Sequence, residues 1–453
     1  MNVLQGSGRR LAAVRRQPAV SVVLGFAGLV AIGTLLLSMP FATESGESTG
    51  LIVALFTATS AACVTGLIVV DTPTYWSTAG EVVILVLIQL GGLGIMTLAS
   101  LLSLLVFRRF GLRMRLTAQA ETKTLGLGDV RRVVGRILLL SLLFELVVAV
   151  ALTARLVTGY GLGFGRAVYE GVFHAVSAFN NAGFALRTDN LMGFVTDAWF
   201  CLPIALAVIA GGLGFPVWLE LFSRLRQPRR WTLHTKITVW VTVVLLIGGS
   251  VVVTAAEWTN PGTLGPLSWP GKLLAGFFAA TMTRTAGFNN LDIAEMHSGT
   301  LLVHDVLMFI GGGSAGTAGG IKITTFALLA FVILAEIRGE PTVHVMGRRL
   351  PEGVQRQALT IVLIAVGVVV LSVLLLQVIT PFGLDAVLFE VVSAFATVGL
   401  STGITAQIPA LGQILLVVLM FIGRLGPITL ASALALRERG RRYELPEERP
   451  IVG

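Results

Sequence analysis

Long, nearly charge-free apolar runs constrain this chain more than any other feature. Residues 19–37, 82–106, 137–156, 237–255 and 361–379 are near or above the ~18 residues that read as a membrane-spanning helix. Backbone facing lipid has no water to bond, so a chain built from such runs is predicted to be mostly helical. The composition agrees, with 55% of residues hydrophobic and 13% charged, against about 25% charged in an average soluble domain. The sequence therefore reads as an all-α integral membrane protein.

The first run follows Arg9, Arg10, Arg15 and Arg16, as in a secretory leader. Its apolar core exceeds the ~7–15 residues of a leader and no A-x-A site follows, so it reads as the first spanning helix. The net charge of +9 is gathered at the N-terminus and in 108–136, 224–236, 338–356 and 437–449. These segments alternate with stretches such as 40–78, which carries Glu44, Glu47 and Asp71 but no Lys or Arg. Under the positive-inside rule all the basic segments, and both termini, face the cytoplasm. The charge then marks topology and argues against a nucleic-acid surface. Cys63 and Cys201 are too few for a disulfide framework, and His174, His234, His297, His304 and His344 form no H-x-x-x-H pair. Neither a metalloenzyme nor a resident cofactor is indicated.

Each stretch between basic segments must leave the cytoplasm and return. Each holds two long apolar runs around a shorter one, and the short ones, 51–62, 166–179, 271–282 and 384–396, have the ~12–14 residues of a re-entrant segment. They close on aligned strings: CVTGL at 63–67, NNAGF at 180–184, RTAGF at 284–288 and ATVGL at 396–400. The glycines Gly66, Gly183, Gly287 and Gly399 recur about every 110 residues, the mark of internal repetition. The expected architecture is four repeats of helix, re-entrant pore loop and helix, with eight spanning helices around one pseudo-fourfold pore. The repeats are placed at 1–107, 108–225, 226–337 and 338–453.

Non-helical backbone at membrane depth is tolerated only where it is buried in protein or lines a water-filled cavity. Four glycine-bearing loops around one axis could aim carbonyls at it and replace the hydration shell of a monovalent cation, the glycine permitting backbone angles closed to other residues. FNNAGF at 179–184 and its partial echo TAGFNN at 285–290 then read as the end of a pore helix and part of a filter. Ser177, Asn180, Asn181, Asn289 and Asn290 are candidate partners for loop groups facing away from the axis. The second helix of each repeat carries GGLG at 91–94, GGLG at 211–214, GGGSAG at 311–316 or GRLG at 423–426. The first two are read as close helix packing through small residues.

ATVGL is close to the TVGYG signature of potassium channels. Together, FHAVSAFNNAGF at 173–184, GGGSAGTAGGIK at 311–322 and FIGRLGPIT at 421–429 resemble the Trk/Ktr/HKT superfamily of potassium transporters, and the resemblance spans the whole chain. A single spanning helix ahead of the first loop is similar to the Ktr-type membrane subunit. The resemblance implies potassium uptake across the cell membrane by a protein that is not an enzyme, with potassium as the transported ion and sodium as a candidate co-ion. It implies a filter of Val64, Thr65 and Gly66, then Asn181, Ala182 and Gly183, then Thr285, Ala286 and Gly287, then Thr397, Val398 and Gly399. It also implies a cytosolic nucleotide-binding regulatory ring of the RCK type as partner, and a homodimer with one pore per protomer. Glycine at position 66 goes with potassium conduction in that superfamily, whereas serine there goes with sodium preference in some plant members. The flanks CVTG, NAG, TAG and TVG differ from one another, so the ring is not chemically fourfold.

The segment 310–322 is dense in glycine inside a run that would otherwise span, and at about 1 kcal/mol per glycine relative to alanine it is expected to break into a loop. In the superfamily the matching segment lies under the filter as a movable gate. That implies a gate of Gly311, Gly312, Gly313, Ser314, Ala315, Gly316, Thr317, Gly319, Gly320 and Lys322, together with Arg424. A phosphate-binding reading fails because the spacing G-x-x-x-x-G-K-[ST] is missing. GGSAG at 312–316 also matches the G-x-S-x-G of serine hydrolases, with His304 or His174 as base, a short match that leaves the other repeats unexplained. Arg424 inside an apolar helix costs at least ~2.5 kcal/mol and marks an ion pathway. The alternative for Arg424 is an ion pair with Glu145, Glu170 or Glu390. An alternating-access secondary transporter is the rival mechanism, although four re-entrant loops fit poorly with a midplane site made by broken helices.

Overall fold

The computed structural model describes residues 18–109 and 127–435, with side chains described over 22–97 and 133–426. The N-terminal arginines, residues 110–126 of the second basic segment and the segment 437–449 lie outside the described residues. The helices fall into four successive sets. The first is α1 (Pro18–Leu37), α2 (Leu51–Ala62), α3 (Thr72–Tyr75) and α4 (Thr78–Arg109), and the second is α5 (Leu127–Tyr160), α6 (Phe164–Phe179), α7 (Ala198–Leu213) and α8 (Phe215–Arg224). The third is α9 (Leu233–Glu257), α10 (Trp269–Met282), α11 (Ser298–Phe309) and α12 (Ile323–Ile337), and the last is α13 (Glu352–Ile379), α14 (Leu384–Ala396) and α15 (Ala410–Ala435). A hairpin of β1 (His344–Val345) and β2 (Arg348–Arg349) joins α12 to α13.

The short helices α2 and α14 have the boundaries read from the sequence, while α6 and α10 start two residues earlier than expected, at Phe164 and Trp269. Each is entered from a small residue in extended conformation: Gly50, Gly163, Ser268 or Gly383. Among the described residues, α4, α5, α9 and α13 are long and apolar enough to cross a membrane, and α7 with α8 would make one more bent span. This is fewer than the eight expected from the apolar runs. The difference arises because two of those runs are split by non-helical backbone, one at Gly214 and one at 310–322, and α1 and α15 are described only in part. Outward faces are apolar at helical spacing, as with Leu139, Leu142, Leu143, Leu146, Val147 and Val150 on α5. Such stripes would be an aggregation hazard in water and suit a lipid solvent.

The sets interlock cyclically. The helix after each short helix packs on the next set's short helix: α4 on α6, α7 on α10, α11 on α14, and α15 back on α2. Within three of the sets glycine permits a close approach as well, because a Cβ on Gly91, Gly211 or Gly423 would fall on the carbonyl of Ala62, Phe179 or Phe395 at the end of that set's own short helix. The two GGLG strings nevertheless differ, which corrects the reading of both as packing alone. The string at 91–94 stays within α4, whereas Gly214 adopts φ +90° and α7 and α8 meet there at 99°. A Cβ on Gly214 would come within 2.6 Å of the Ser314 carbonyl, so the break makes room for the glycine-rich segment.

Candidate functional site

The four short helices end in the same backbone figure. The first and third residues of each following triad have positive φ: Val64 (55°) and Gly66 (93°), Asn181 (59°) and Gly183 (72°), Thr285 (65°) and Gly287 (72°), Thr397 (51°) and Gly399 (95°). For β-branched Val64, Thr285 and Thr397 this region is a genuine outlier costing about 1–3 kcal/mol each, so the surroundings must impose it. The hydrogen bonds show how. The N–H groups of Thr65, Ala182 and Val398 donate to Ser60, Ser177 and Ser393 carbonyls at 2.7, 2.7 and 2.9 Å, and that of Ala286 donates to Met282 at 3.1 Å. The N–H groups of Gly66 and Gly399 are held at 3.1 Å by the hydroxyls of Ser60 and Ser393.

A trans peptide points its carbonyl opposite its N–H. Anchoring these N–H groups to the helix ends therefore turns the carbonyls of residues such as Val64, Thr65, Thr285, Thr397 and Val398 away from them. Among the described residues none of the carbonyls of 64–66, 181–183, 285–287 and 397–399 accepts a hydrogen bond. Several of them lie against the glycine of a neighbouring loop instead. A Cβ on Gly66 would fall on the Ala182 carbonyl, one on Gly183 would lie 2.7 Å from that of Ala286, one on Gly287 would fall on that of Val398, and one on Gly399 on that of Thr65. Each loop thus abuts the next and the last abuts the first. The result is a closed, buried ring of loops rich in unpaired carbonyl oxygen.

The polar residues around the ring divide by role. Ser177 donates to the Phe184 carbonyl at 2.8 Å and Asn289 to that of Leu291 at 3.1 Å. Asn181 donates through Nδ2 to the Arg284 carbonyl at 3.3 Å. Asn180 reaches side chains as well, giving Nδ2–H to Gln89 at 2.7 Å and to Glu145 at 3.2 Å. Asn290 is buried, and neither of its side-chain polar atoms has a partner among the described residues, so the supporting role expected of it is not realised there. Ser60 and Ser393 were not among the residues singled out from the sequence. Their signal was present, since a serine stands six positions before the ring glycine in three of the four strings.

The segment between α11 and α12 is non-helical over 310–322, closed at its neck by a bridge between Ile310 and Ile321. It is docked on the ring at the helix-end side. Gly313 and Thr317 donate N–H to the carbonyls of Gly212 (2.7 Å) and Gly211 (3.1 Å), and Phe215 donates to that of Ala315 (3.2 Å). The Thr317 hydroxyl donates to Asn181 Oδ1 at 3.0 Å, and a Cβ on Gly319 would fall on the Thr397 hydroxyl. Lys322 donates to the Ala318 carbonyl within the segment. Arg424, 2% exposed, donates through Nη1 to the Thr317 carbonyl and through Nη2 to that of Gly91 at 3.5 Å.

Ion pairing with Glu145, Glu170 or Glu390 does not account for Arg424. Glu145 is bonded to Gln89 and Asn180, Glu170 to Arg166 and Arg187, and Glu390 to Ser401, Thr402 and Thr405. The serine-hydrolase geometry is not formed either, because Ser314 shares its hydrogen bond with Thr324 at 3.1 Å, while His304 and His174 bond the Thr300 and Glu170 carbonyls. Arg284 escaped the sequence reading although it carries the same signal as Arg424, a charge within an apolar neighbourhood. It is 7% exposed and donates to the Gly311 carbonyl at 3.2 Å.

A ring of carbonyls with a docked loop suits cation passage, and the comparisons with known proteins decide the family. The sequence profile of the TrkH family, described as cation transport protein, matches residues 19–441. The chain belongs to the TrkH family. This TrkH-family chain is a membrane transporter and not an enzyme. It is 39% identical over 431 residues to the Ktr system potassium uptake protein B of Bacillus subtilis (strain 168), covering 95% of this chain and 96% of the relative. It is 34% identical to the potassium/sodium uptake protein NtpJ of Enterococcus hirae, covering 97% and 98%. The fold is similar to the crystal structure of the potassium transporter TrkH from Vibrio parahaemolyticus, with a TM-score of 0.72 and 18% identity over 92% of this chain and 84% of that one.

Proposed function

We propose that this chain takes up potassium across the cell membrane through the ring of loops, with 64–66, 181–183, 285–287 and 397–399 as a single-chain selectivity filter. The carrying observation is the closed ring of carbonyls that accept no hydrogen bond among the described residues. Such groups can take the place of an ion's hydration shell. The inside-negative potential would drive entry at roughly 2.3 kcal/mol per charge per 100 mV. The cyclic packing supports eight crossings around one axis, made by α1, α4, α5, α7 with α8, α9, α11 with α12, α13 and α15, with α2, α6, α10 and α14 as re-entrant pore helices. Both termini are assigned to the cytoplasm.

The segment 310–322, with Arg424, is assigned as the gate. Its hydrogen bonds to the second set and its contact with Thr397 support a closed position across the ring. The relatives named for Ktr systems support a regulatory partner, assigned as a cytosolic nucleotide-binding ring of the RCK type on a homodimer, and the potassium/sodium relative supports sodium as a co-ion. Flux in liposomes holding the purified chain, compared for potassium, rubidium, sodium and lithium, tests the reading. Potassium and rubidium are expected to pass without any proton or sodium gradient. Flux that needs such a gradient would favour an alternating-access carrier instead.

A further inference from the structure

Arg284 stands immediately before the triad 285–287, and its side chain reaches out of the ring to the root of the glycine loop. Nη2 donates to the Gly311 carbonyl at 3.2 Å, while Nη1 has no partner among the described residues. No described salt bridge supplies it with a carboxylate. A guanidinium stays charged at any physiological pH, and a buried charge without a counter-ion depends on whatever dipoles face it. Here that dipole is the carbonyl at the neck of the loop, where Gly311 also donates its N–H to Ile321 at 2.8 Å.

The backbone of the same residue is tied as well. The Arg284 carbonyl accepts from Asn181 Nδ2 at 3.3 Å, and the other end of that amide accepts the Thr317 hydroxyl at 3.0 Å. Two side chains, Arg284 and Asn181, therefore join the second and third ring loops to the neck and the far bend of the glycine loop. A small cavity lined by Val208, Gly212, Thr242, Thr281, Arg284 and Gly312 lies alongside.

We propose that Arg284 is a second clasp on the gate, holding the neck of 310–322 to the ring while Arg424 holds the bend at Thr317. The inference rests on the reading of this loop as the gate. Releasing the neck must break a charged hydrogen bond, so the clasp weights the closed position. Its loss frees the loop while the triad itself keeps its anchors at the end of α10.

Rubidium flux into liposomes containing the full chain, with Arg284→Gln and Arg284→Lys beside the parent, tests this. The second readout is the rate at which a membrane-impermeant thiol reagent, applied to each side in turn, labels Ser314→Cys. Both native cysteines are buried. Arg284→Gln should raise flux roughly ten- to one-hundred-fold, the weight of one hydrogen bond to a charged group, speed labelling and keep the potassium-to-sodium ratio. Arg284→Lys keeps the charge and should give a smaller rise. Folded Arg284→Gln protein with parental or lower flux and labelling would overturn the clasp, as would an altered ion ratio with parental labelling. If Arg284→Gln does not fold, unchanged labelling in Arg284→Lys overturns it. Arg424→Ala and a deletion within 312–316 separate the two readings. If these raise flux and the Arg284 variants do not, only the clasp falls; if none does, the gate assignment itself falls.

Discussion

At the scale of single residues, the ring is decided by backbone angles that side chains seldom permit. Gly66 has φ +93°, and a Cβ there would fall on the Ala182 carbonyl of the next loop. Gly66→Ser is therefore expected to displace one carbonyl of the ring and lower the potassium-to-sodium permeability ratio on the order of ten-fold, the scale of one lost polar contact. Relative permeabilities measured in liposomes check this, and an unchanged ratio would remove Gly66 from the filter. Arg424 poses a different question, since its charge is fixed and its bonds go to the carbonyls of Thr317 and Gly91. A fixed cation beside a narrow path raises the energy of a passing cation, and the same guanidinium holds the loop in place. Arg424→Ala should increase flux and Arg424→Lys should change it less. A stable Arg424→Ala protein with parental flux would sink both the barrier and the latch.

At the scale of elements, the short helices α2, α6 and α14 are each held by the later helix of their own set through a glycine seam. Gly423 is the tightest case: an added Cβ would fall on the Phe395 carbonyl near the end of α14. Gly423→Ala should destabilise the protein by about 1–3 kcal/mol through overpacking, read as a lower thermal midpoint in detergent. Gly25, inside α1, has nothing within 4 Å of such a Cβ, and Gly25→Ala should be neutral or slightly stabilising from helix propensity. Equal midpoints for the two variants would contradict the seam. The Gln89, Glu145 and Asn180 cluster works at the same scale, bonding α4 and α5 to the residue that ends α6.

For the whole molecule, the ring exists only when all four sets are assembled, because each loop is completed by its neighbour and the fourth returns to the first. A cation bound by such a ring binds the folded chain and not the unfolded one, so it stabilises the fold by mass action. Potassium or rubidium at about 100 times its dissociation constant should add roughly 2.7 kcal/mol of apparent stability, seen as a raised thermal midpoint that lithium does not reproduce. Gly66→Ser should lose most of that increment. Equal stabilisation by all alkali ions in the parent would speak against selective binding in the ring.

Apolar run length, glycine recurrence and the strings at 63–67, 180–184, 284–288 and 396–400 were enough to read a helical membrane protein and to mark where its helices are interrupted. These are local properties: hydrocarbon demands helices, and glycine density costs helix stability wherever it occurs. Other features depended on which elements meet. The bend at Gly214 looked like helix packing until the loop 310–322 was found occupying the space beside it. Arg424 had three candidate acids in the sequence and bonds none of them, because a guanidinium is satisfied by whatever acceptor the fold brings near, and here that is backbone. Arg284, Ser60 and Ser393 gained roles only when the loops closed on one another. Local chemistry determined that the chain would be largely helical and that 310–322 would break its helix. Long-range packing decided which broken ends face each other, because the glycine that each loop carbonyl meets lies at least about one whole repeat away along the chain.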